Sequence, residues 1–494
     1  MKRNLCSLFV LALGLSVFWF AGCSKPKQEQ PQDVSAGAGT GIGTAENPVK
    51  VSYIKKDVDP ITDTEITKQL ELLIEEGMAS QGMYVDLEFL SAPTGAYATV
   101  VPIAFRTGQF TPDVIYFQGG DLPIAQEGLL TDLGPYVEKS QWVKGLLQDH
   151  NKAAMANYPY LLWLAPPRIQ IPVIREDHFQ KLKSAPALMA DPTVDNYYAL
   201  FKELKDTGLV KWPITTDGTI LKLDAVFNHA FGVTSTIMKK DGVWMYYQAT
   251  DENKDKLAFY AKLFREGLLD NEYVTKAWDT MEQAFYEGTA GWVSGSAGAV
   301  IDVYDNKMFE TQGVHLVVLP PATGISQAYQ SLDVSKEPRG FAINADSPVK
   351  DAAWAFLDFM ASPQGRVLDK LGLEGIHYNR VDGKYVLSPA YSSWWARVHE
   401  GFNGLDTSNV VGDVMTKAGA ASLEAASRYF SPDTNVVLPE HLVPLKDAMD
   451  KLYLEYSTDI IRGVRPVSDF AEFVTKWNAS GGVQISEYLA TVLN

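Results

Sequence analysis

Eight side chains stand where the chain turns out of apolar runs, and their types suit a binding surface. Tyr97, Gln118 and Asp121 fall in predicted strand-end loops, and Arg168 follows the pair Pro166-Pro167. Trp278 precedes Asp279 in a predicted loop after a helix, and Trp292 sits in a glycine- and serine-rich run from Gly288 to Gly298. Arg339 precedes Gly340 at a predicted strand start, and Trp394 adjoins Trp395. Ring faces beside polar groups of both hydrogen-bonding polarities hold a ligand by contact and hydrogen bonding, with no bond broken. Trp278 and Trp292 lead this set, because glycine neighbours offer Trp292 little to pack against. Each residue also has a structural alternative: packing for Tyr97 and Trp394, salt bridges for the arginines, a turn or cap for Asp121 and Gln118.

Bond-breaking chemistry finds less support. Neither H-E-x-x-H nor G-x-S-x-G occurs, and the seven histidines are scattered singly. Ser52-Tyr53-Ile54-Lys55 matches S-x-x-K, but S-D-N and K-T-G are missing. With 60 acidic residues a glycosidase-like carboxylate pair is open by count, yet no spacing rule isolates one. The two cysteines, Cys6 and Cys23, support neither a disulfide framework nor a thiolate metal site, so neither metal nor cofactor is expected. A formal charge of −17 argues against nucleic acid, whose phosphates need clustered Lys and Arg.

The first 47 residues read as an address label. Met1-Lys2-Arg3-Asn4 is a positive start, Leu5 to Phe20 is almost wholly apolar, and Ala21-Gly22 precedes Cys23. That run is short for a membrane span and reads as a signal peptide over residues 1–22. Cysteine after Ala-Gly resembles the bacterial lipobox, with Phe20 where Leu is usual, which implies lipid on Cys23. Residues 23–47, rich in Gln, Pro, Gly, Ser and Thr, are expected to form a flexible tether. The folded body is thereby placed at the extracytoplasmic face of a membrane, anchored in its bilayer.

Beyond the tether, short apolar runs alternate with amphipathic helical patterns, the mark of an α/β fold. At 494 residues, two lobes or domains are expected. Val51–Ile54, Val85–Phe89 and Val114–Phe117 read as strands. Thr62-Asp63-Thr64-Glu65 reads as a capping box, followed by Ile66, Leu70, Leu73 and Ile74 at helical spacing as far as Gly77. Further helices are predicted from Thr193, from Thr250 to Gly267, and from an N-cap at Ser347. Ala165-Pro166-Pro167-Arg168 and Leu319-Pro320-Pro321 leave apolar runs through proline, which denies a sheet its ladder hydrogen bond.

Several segments, in order, resemble the extracellular carbohydrate-binding proteins of bacterial ABC importers. They include Thr111-Pro112-Asp113-Val114-Ile115, Gly128-Leu129-Leu130-Thr131-Asp132-Leu133, Arg265-Glu266-Gly267-Leu268-Leu269-Asp270, Phe285-Tyr286-Glu287-Gly288-Thr289-Ala290-Gly291, Arg339-Gly340-Phe341-Ala342-Ile343 and Asp459-Ile460-Ile461-Arg462-Gly463. The resemblance implies a two-lobe, type II periplasmic-binding-protein-like fold whose lobes, joined by hinge crossings, close on a sugar. It implies a first lobe of 48–165 plus 318–375 and a second of 166–317 plus 376–494, with both proline exits as crossings. It further implies a monomer that delivers an oligosaccharide to a membrane-embedded ABC permease. The paired arginines add the expectation of an anionic sugar. The family's stacking Trp often falls a few residues beyond Trp292, where this chain has Ser296-Ala297-Gly298. A secreted glycan-degrading hydrolase is the alternative function.

Overall fold

The computed structural model describes residues 42–55, 61, 63–166, 168–330, 339–394, 401–402 and 404–493. The expected signal peptide and the lipid-bearing Cys23 lie outside the described residues. The tether, expected to reach Asn47, has given way to structure by residue 42. Ile42 packs on the first lobe's core and its carbonyl accepts from Tyr84 N, while Thr44 and Asn47 exchange backbone hydrogen bonds.

One lobe is built on a four-stranded sheet in the order Arg339–Ile343, Val114–Gln118, Val49–Ile54, Val85–Phe89. Val49–Ile54 runs parallel to both Val85–Phe89 and Val114–Gln118. Arg339–Ile343 runs antiparallel to Val114–Gln118, pairing Arg339 with Gln118 and Ile343 with Val114. All five residues of Val114–Gln118 are buried, as an inner strand covered on both faces requires. At the sheet edge, Val85–Phe89 alternates buried and exposed residues. Tyr53, Tyr116 and Phe341 face a core shared with Ile74 and Phe356, whereas Ile115, Phe117 and Ala342 face one shared with Val101 and Ile124.

The second sheet has the order Trp212–Ile214, Ala290–Ser296, Gln170–Arg175, Leu316–Val318. Trp212–Ile214 and Ala290–Ser296 are parallel, so their carboxyl ends lie at the same edge. Gln170–Arg175 runs against Ala290–Ser296, with Gln170 opposite Ser296. One face packs on Val194–Asp206, Asp251–Arg265 and Val443–Ile461, and the other on Trp278–Tyr286, Ala299–Gln312 and Lys417–Arg428.

The division between lobes differs from the expected one in two places. Leu319-Pro320-Pro321 does end a strand, but it turns within the second lobe. Leu319 is buried in that lobe's core, and Ala322 N donates to Val226 O. The chain is still in the second lobe at Tyr329, which pairs with Phe430, and is back in the first at Arg339. Residues after 375 also stay in the first lobe, whose core holds Tyr378, Tyr391, Trp394 and Phe402. Val414 packs on the first-lobe core and Ala418 on the second. At the first exit, Ala165 O accepts from Asn151 of the first lobe, while Ile169 is buried in the second. Pro167 itself lies outside the described residues.

Local signals fared well where side chains pack. Thr193 and Thr250 are N-caps, accepting from Asn196 N and Asn253 N. The helix Thr64–Ala79 runs past Gly77, which is pressed against another element rather than ending this one. A Cβ there would lie 2.4 Å from the Phe359 ring. The expected capping box starts at Thr62, which lies outside the described residues, and Asp63, directly before the helix, makes no side-chain cap bond. Ser347 lies two residues before the Val349 cap of Lys350–Met360, accepting from Val349 N while its own hydroxyl donates to Asp113.

Candidate functional site

At the carboxyl end of Val114–Gln118 the chain turns through Gly119 and Gly120, both with positive φ, into Asp121. A Cβ on Gly120 would sit 2.8 Å from Pro102, so only glycine lets the loop pass there. Asp121 is wholly buried. Its Oδ2 accepts from the Tyr160 hydroxyl at 2.9 Å, and its Oδ1 is buried with no partner among the described residues. Burial pushes the Asp121 carboxyl up to about 6, against the Tyr160 hydrogen bond. Burial, then the neighbouring carboxylate, drives the Tyr160 hydroxyl far above its ordinary range. Gln118 lies three residues back, opposite Arg339 in the ladder. The Tyr97 hydroxyl donates to Tyr116 O at 2.7 Å, tying its ring to the same strand. Four of the predicted residues, Tyr97, Gln118, Asp121 and Arg339, therefore share one corner of the first lobe.

The second lobe has a corner of its own beyond the carboxyl ends of Trp212–Ile214 and Ala290–Ser296. Trp278 opens the helix Trp278–Tyr286 instead of lying in a loop, and its side chain is 39% exposed. Lys222 Nζ stands 4.2 Å from the Trp278 ring centroid and donates to Ser294 O at 3.0 Å. It also lies 3.7 Å from Asp217. Burial holds the Lys222 ammonium below its ordinary range; Asp217 and Glu282 oppose that, and nearby Arg168 adds to it. Trp278 thus stacks against Lys222, whose charge also feels Arg168. The Glu282 carboxyl is raised by burial, which the neighbouring Tyr304, Lys307, Trp278 and Lys222 offset in part.

Both lobes line a cavity of about 340 Å³ beside the crossings. Pro166, Gly298 and Asp302 face Lys370 and Tyr391 across it. The Tyr391 hydroxyl donates to Lys370 O at 3.1 Å, and Asp302 accepts from Thr416 N at 2.6 Å.

Two predicted residues belong elsewhere. Trp292 is fully buried in the second-lobe core, its ring 6.1 Å from that of Phe201. The glycine-rich run around it is a wholly buried strand, not a loose loop. Its glycines admit neighbours: a Cβ on Gly295 would lie 2.8 Å from Tyr304 and Val300. Trp394 is also core, 2% exposed, with its indole N–H donating to Asp369 O at 3.0 Å and its ring 4.8 Å from His377. Trp395 lies outside the described residues. Lys222, Asp217, Tyr160, Lys370 and Tyr391 were not anticipated. A lone lysine on a helix reads as surface charge, so no local signal marked Lys222; the Asp217-Gly218 turn after an apolar run marked its neighbourhood.

Among the described residues no helix is long and apolar enough to cross a membrane, and no cluster of three or more His, Cys, Asp or Glu could hold a metal ion.

No curated protein sequence matches the chain. Solved structures share its fold at low identity. Alginate-binding protein AlgQ2, solved without calcium ion, superposes with a TM-score of 0.62 at 17% identity, covering 89% of this chain and 96% of that one. An HMO-binding ABC-transporter-associated solute-binding protein of Bifidobacterium longum infantis gives 0.62 at 17%, covering 89% and 97%. The N-glycan transport solute-binding protein NgtS of Streptococcus pneumoniae gives 0.64 at 14%, covering 89% and 96%. Residues 64–367 match the family described as bacterial extracellular solute-binding protein. That stretch contains both strand-end corners, so the chain belongs to the bacterial extracellular solute-binding proteins, a family of binding proteins that act outside the cytoplasm.

Proposed function

We propose that the protein binds a carbohydrate between its lobes and hands it to a membrane ABC importer, while lipid on Cys23 holds it to the membrane. The observation that carries this reading is an exposed indole, Trp278, at the second-lobe corner together with a buried carboxyl oxygen at the first-lobe corner, Asp121 Oδ1, that has no hydrogen-bond partner among the described residues. Each lies at the strand-end edge of one lobe, where an α/β crevice receives its ligand. A sugar ring offers an apolar face to the first and a hydroxyl to the second. Alginate, HMO and N-glycan in the names of structural neighbours agree with a glycan ligand. Binding by closure needs no positioned acid and base, so the protein does not turn its ligand over.

A thermal-shift screen against neutral and acidic oligosaccharides tests the reading, because a ligand confined to the native state raises the melting temperature. Calorimetry on the best hit should show Trp278→Ala weakening affinity about tenfold, the loss of roughly 1.4 kcal/mol expected of a stacked ring. Hydrolysis of any hit by the purified protein, or an affinity indifferent to Trp278, would refute it.

A further inference from the structure

Trp278 is 39% exposed, yet one face of its indole is taken. Lys222 Nζ lies 4.2 Å from the ring centroid, and the Lys222 side chain is only 4% exposed. The face against this lysine is therefore inside the protein, and the exposed area belongs to the rest of the ring. Tyr304 limits the ring further, with centroids 6.1 Å apart. Burying an ammonium is costly unless its charge is met. Here the carboxylate of Asp217 stands at 3.7 Å, longer than a hydrogen bond. The close partners of Lys222 are Ser294 O at 3.0 Å and the indole face. Ser294 Oγ in turn donates to Lys222 O at 3.1 Å. The lysine is thus fixed to the Ala290–Ser296 strand, and the indole rests on the lysine.

We propose that Lys222 is the positioning residue of the binding site: it fixes the Trp278 ring as a one-sided platform for a sugar. This rests on the carbohydrate reading above. A strand-anchored cation attracts the quadrupole of the ring, restrains its rotation about χ1 and χ2, and leaves one face for the ligand. Lys222 does not touch the sugar; it acts through Trp278.

The test is a double-mutant cycle with Lys222→Met and Trp278→Ala, read by calorimetry with the glycan identified by thermal shift. Lys222→Met should weaken binding about tenfold in the Trp278 background and less than about twofold in the Trp278→Ala background. A second arm needs no ligand: the emission difference between the protein and its Trp278→Ala variant isolates that indole, and Lys222→Met should shift it to the red. Lys222→Arg, which keeps the cation, should restore both affinity and emission. If Lys222→Met does not melt cooperatively, Lys222→Gln replaces it, keeping a donor for Ser294 O without the charge. An equal loss in both backgrounds overturns the proposal, as does an unchanged emission. If no glycan binds the unaltered protein, the carbohydrate reading fails, while the emission arm still judges the platform.

Discussion

Asp121→Asn isolates the cost of keeping a buried carboxylate at the first-lobe corner. The substitution preserves shape and an acceptor for the Tyr160 hydroxyl, and it removes the ability to ionise. Asp121 is wholly buried, and its carboxyl titrates at about 6 instead of the ordinary 3.8. That interval corresponds to about 3 kcal/mol at 25 °C. A folded-state pKa above the unfolded value means that the folded chain holds its proton more tightly. The unaltered protein therefore loses stability as pH rises from about 4 to about 6, and the loss persists above. The Asn variant escapes that loss. Urea denaturation should show it about 2–3 kcal/mol more stable at pH about 8 and equal to the parent at pH about 3. Under the proposed carbohydrate reading, which gives Asp121 Oδ1 a ligand hydroxyl to accept from, the variant's glycan affinity should fall at neutral pH. An Asn variant less stable at high pH, or stabilised equally at both, would refute the electrostatic reasoning.

Three further outcomes follow from particular contacts. Trp292→Ala should cost about 3–5 kcal/mol of stability, because it empties a fully buried site, and should leave the affinity of the folded fraction unchanged. Lys256→Met should cost about 3–5 kcal/mol, because the Lys256 ammonium, 2.7 Å from Asp224, is fully buried and its loss removes the cation paired with that carboxylate, which is left with the Tyr247 and Tyr260 hydroxyls. Adding Asp224→Leu should recover part of this, as measured by denaturation of all three variants. Cys23→Ser should release the protein from the membrane fraction, and mass spectrometry of the parent should find a diacylglyceryl group on Cys23.

Elements whose hydrophobic pattern and end signals agreed were legible in the sequence. Val194–Asp206 buries Tyr197, Leu200, Phe201 and Leu204, the face its spacing marks, behind the Thr193 cap. Val114–Gln118, read as an unbroken apolar run, is an inner strand on whose carboxyl end the first-lobe corner depends. The lobe boundaries were less legible. Proline says that a chain leaves a sheet, not where it goes next. Leu319-Pro320-Pro321 and Ala165-Pro166 carry the same local signal, yet only the second changes lobes. The difference lies in long-range partners, such as Val226 O for Ala322 N, that no local pattern encodes.

The same limit explains where the candidate residues lie in the fold. Tyr97, Gln118, Asp121 and Arg339 were placed by a rule about backbone: strand ends gather at one edge, whatever side chains they carry. Trp292 and Trp278 were placed by a rule about side chains, that glycines and loops leave an aromatic ring exposed, and the rule divided them. Glycine removes a Cβ, and the space freed goes to whichever element is nearest. Around Trp292 both faces of the strand are filled, with Val210 and Leu204 against Gly291 and, on the opposite face, Tyr304 and Val300 against Gly295, and the ring packs in the second-lobe core. Trp278 remains exposed for a different reason: it begins a helix at the strand-end edge and rests on a lysine from elsewhere in the lobe. Exposure of a large aromatic is thus a property of the position of its backbone relative to the sheets, and composition nearby bears on it only through packing. It follows that a variant returning a side chain to Gly295 should disturb the Tyr304 and Val300 packing, and through Tyr304 the seat of Trp278, without touching the first-lobe corner.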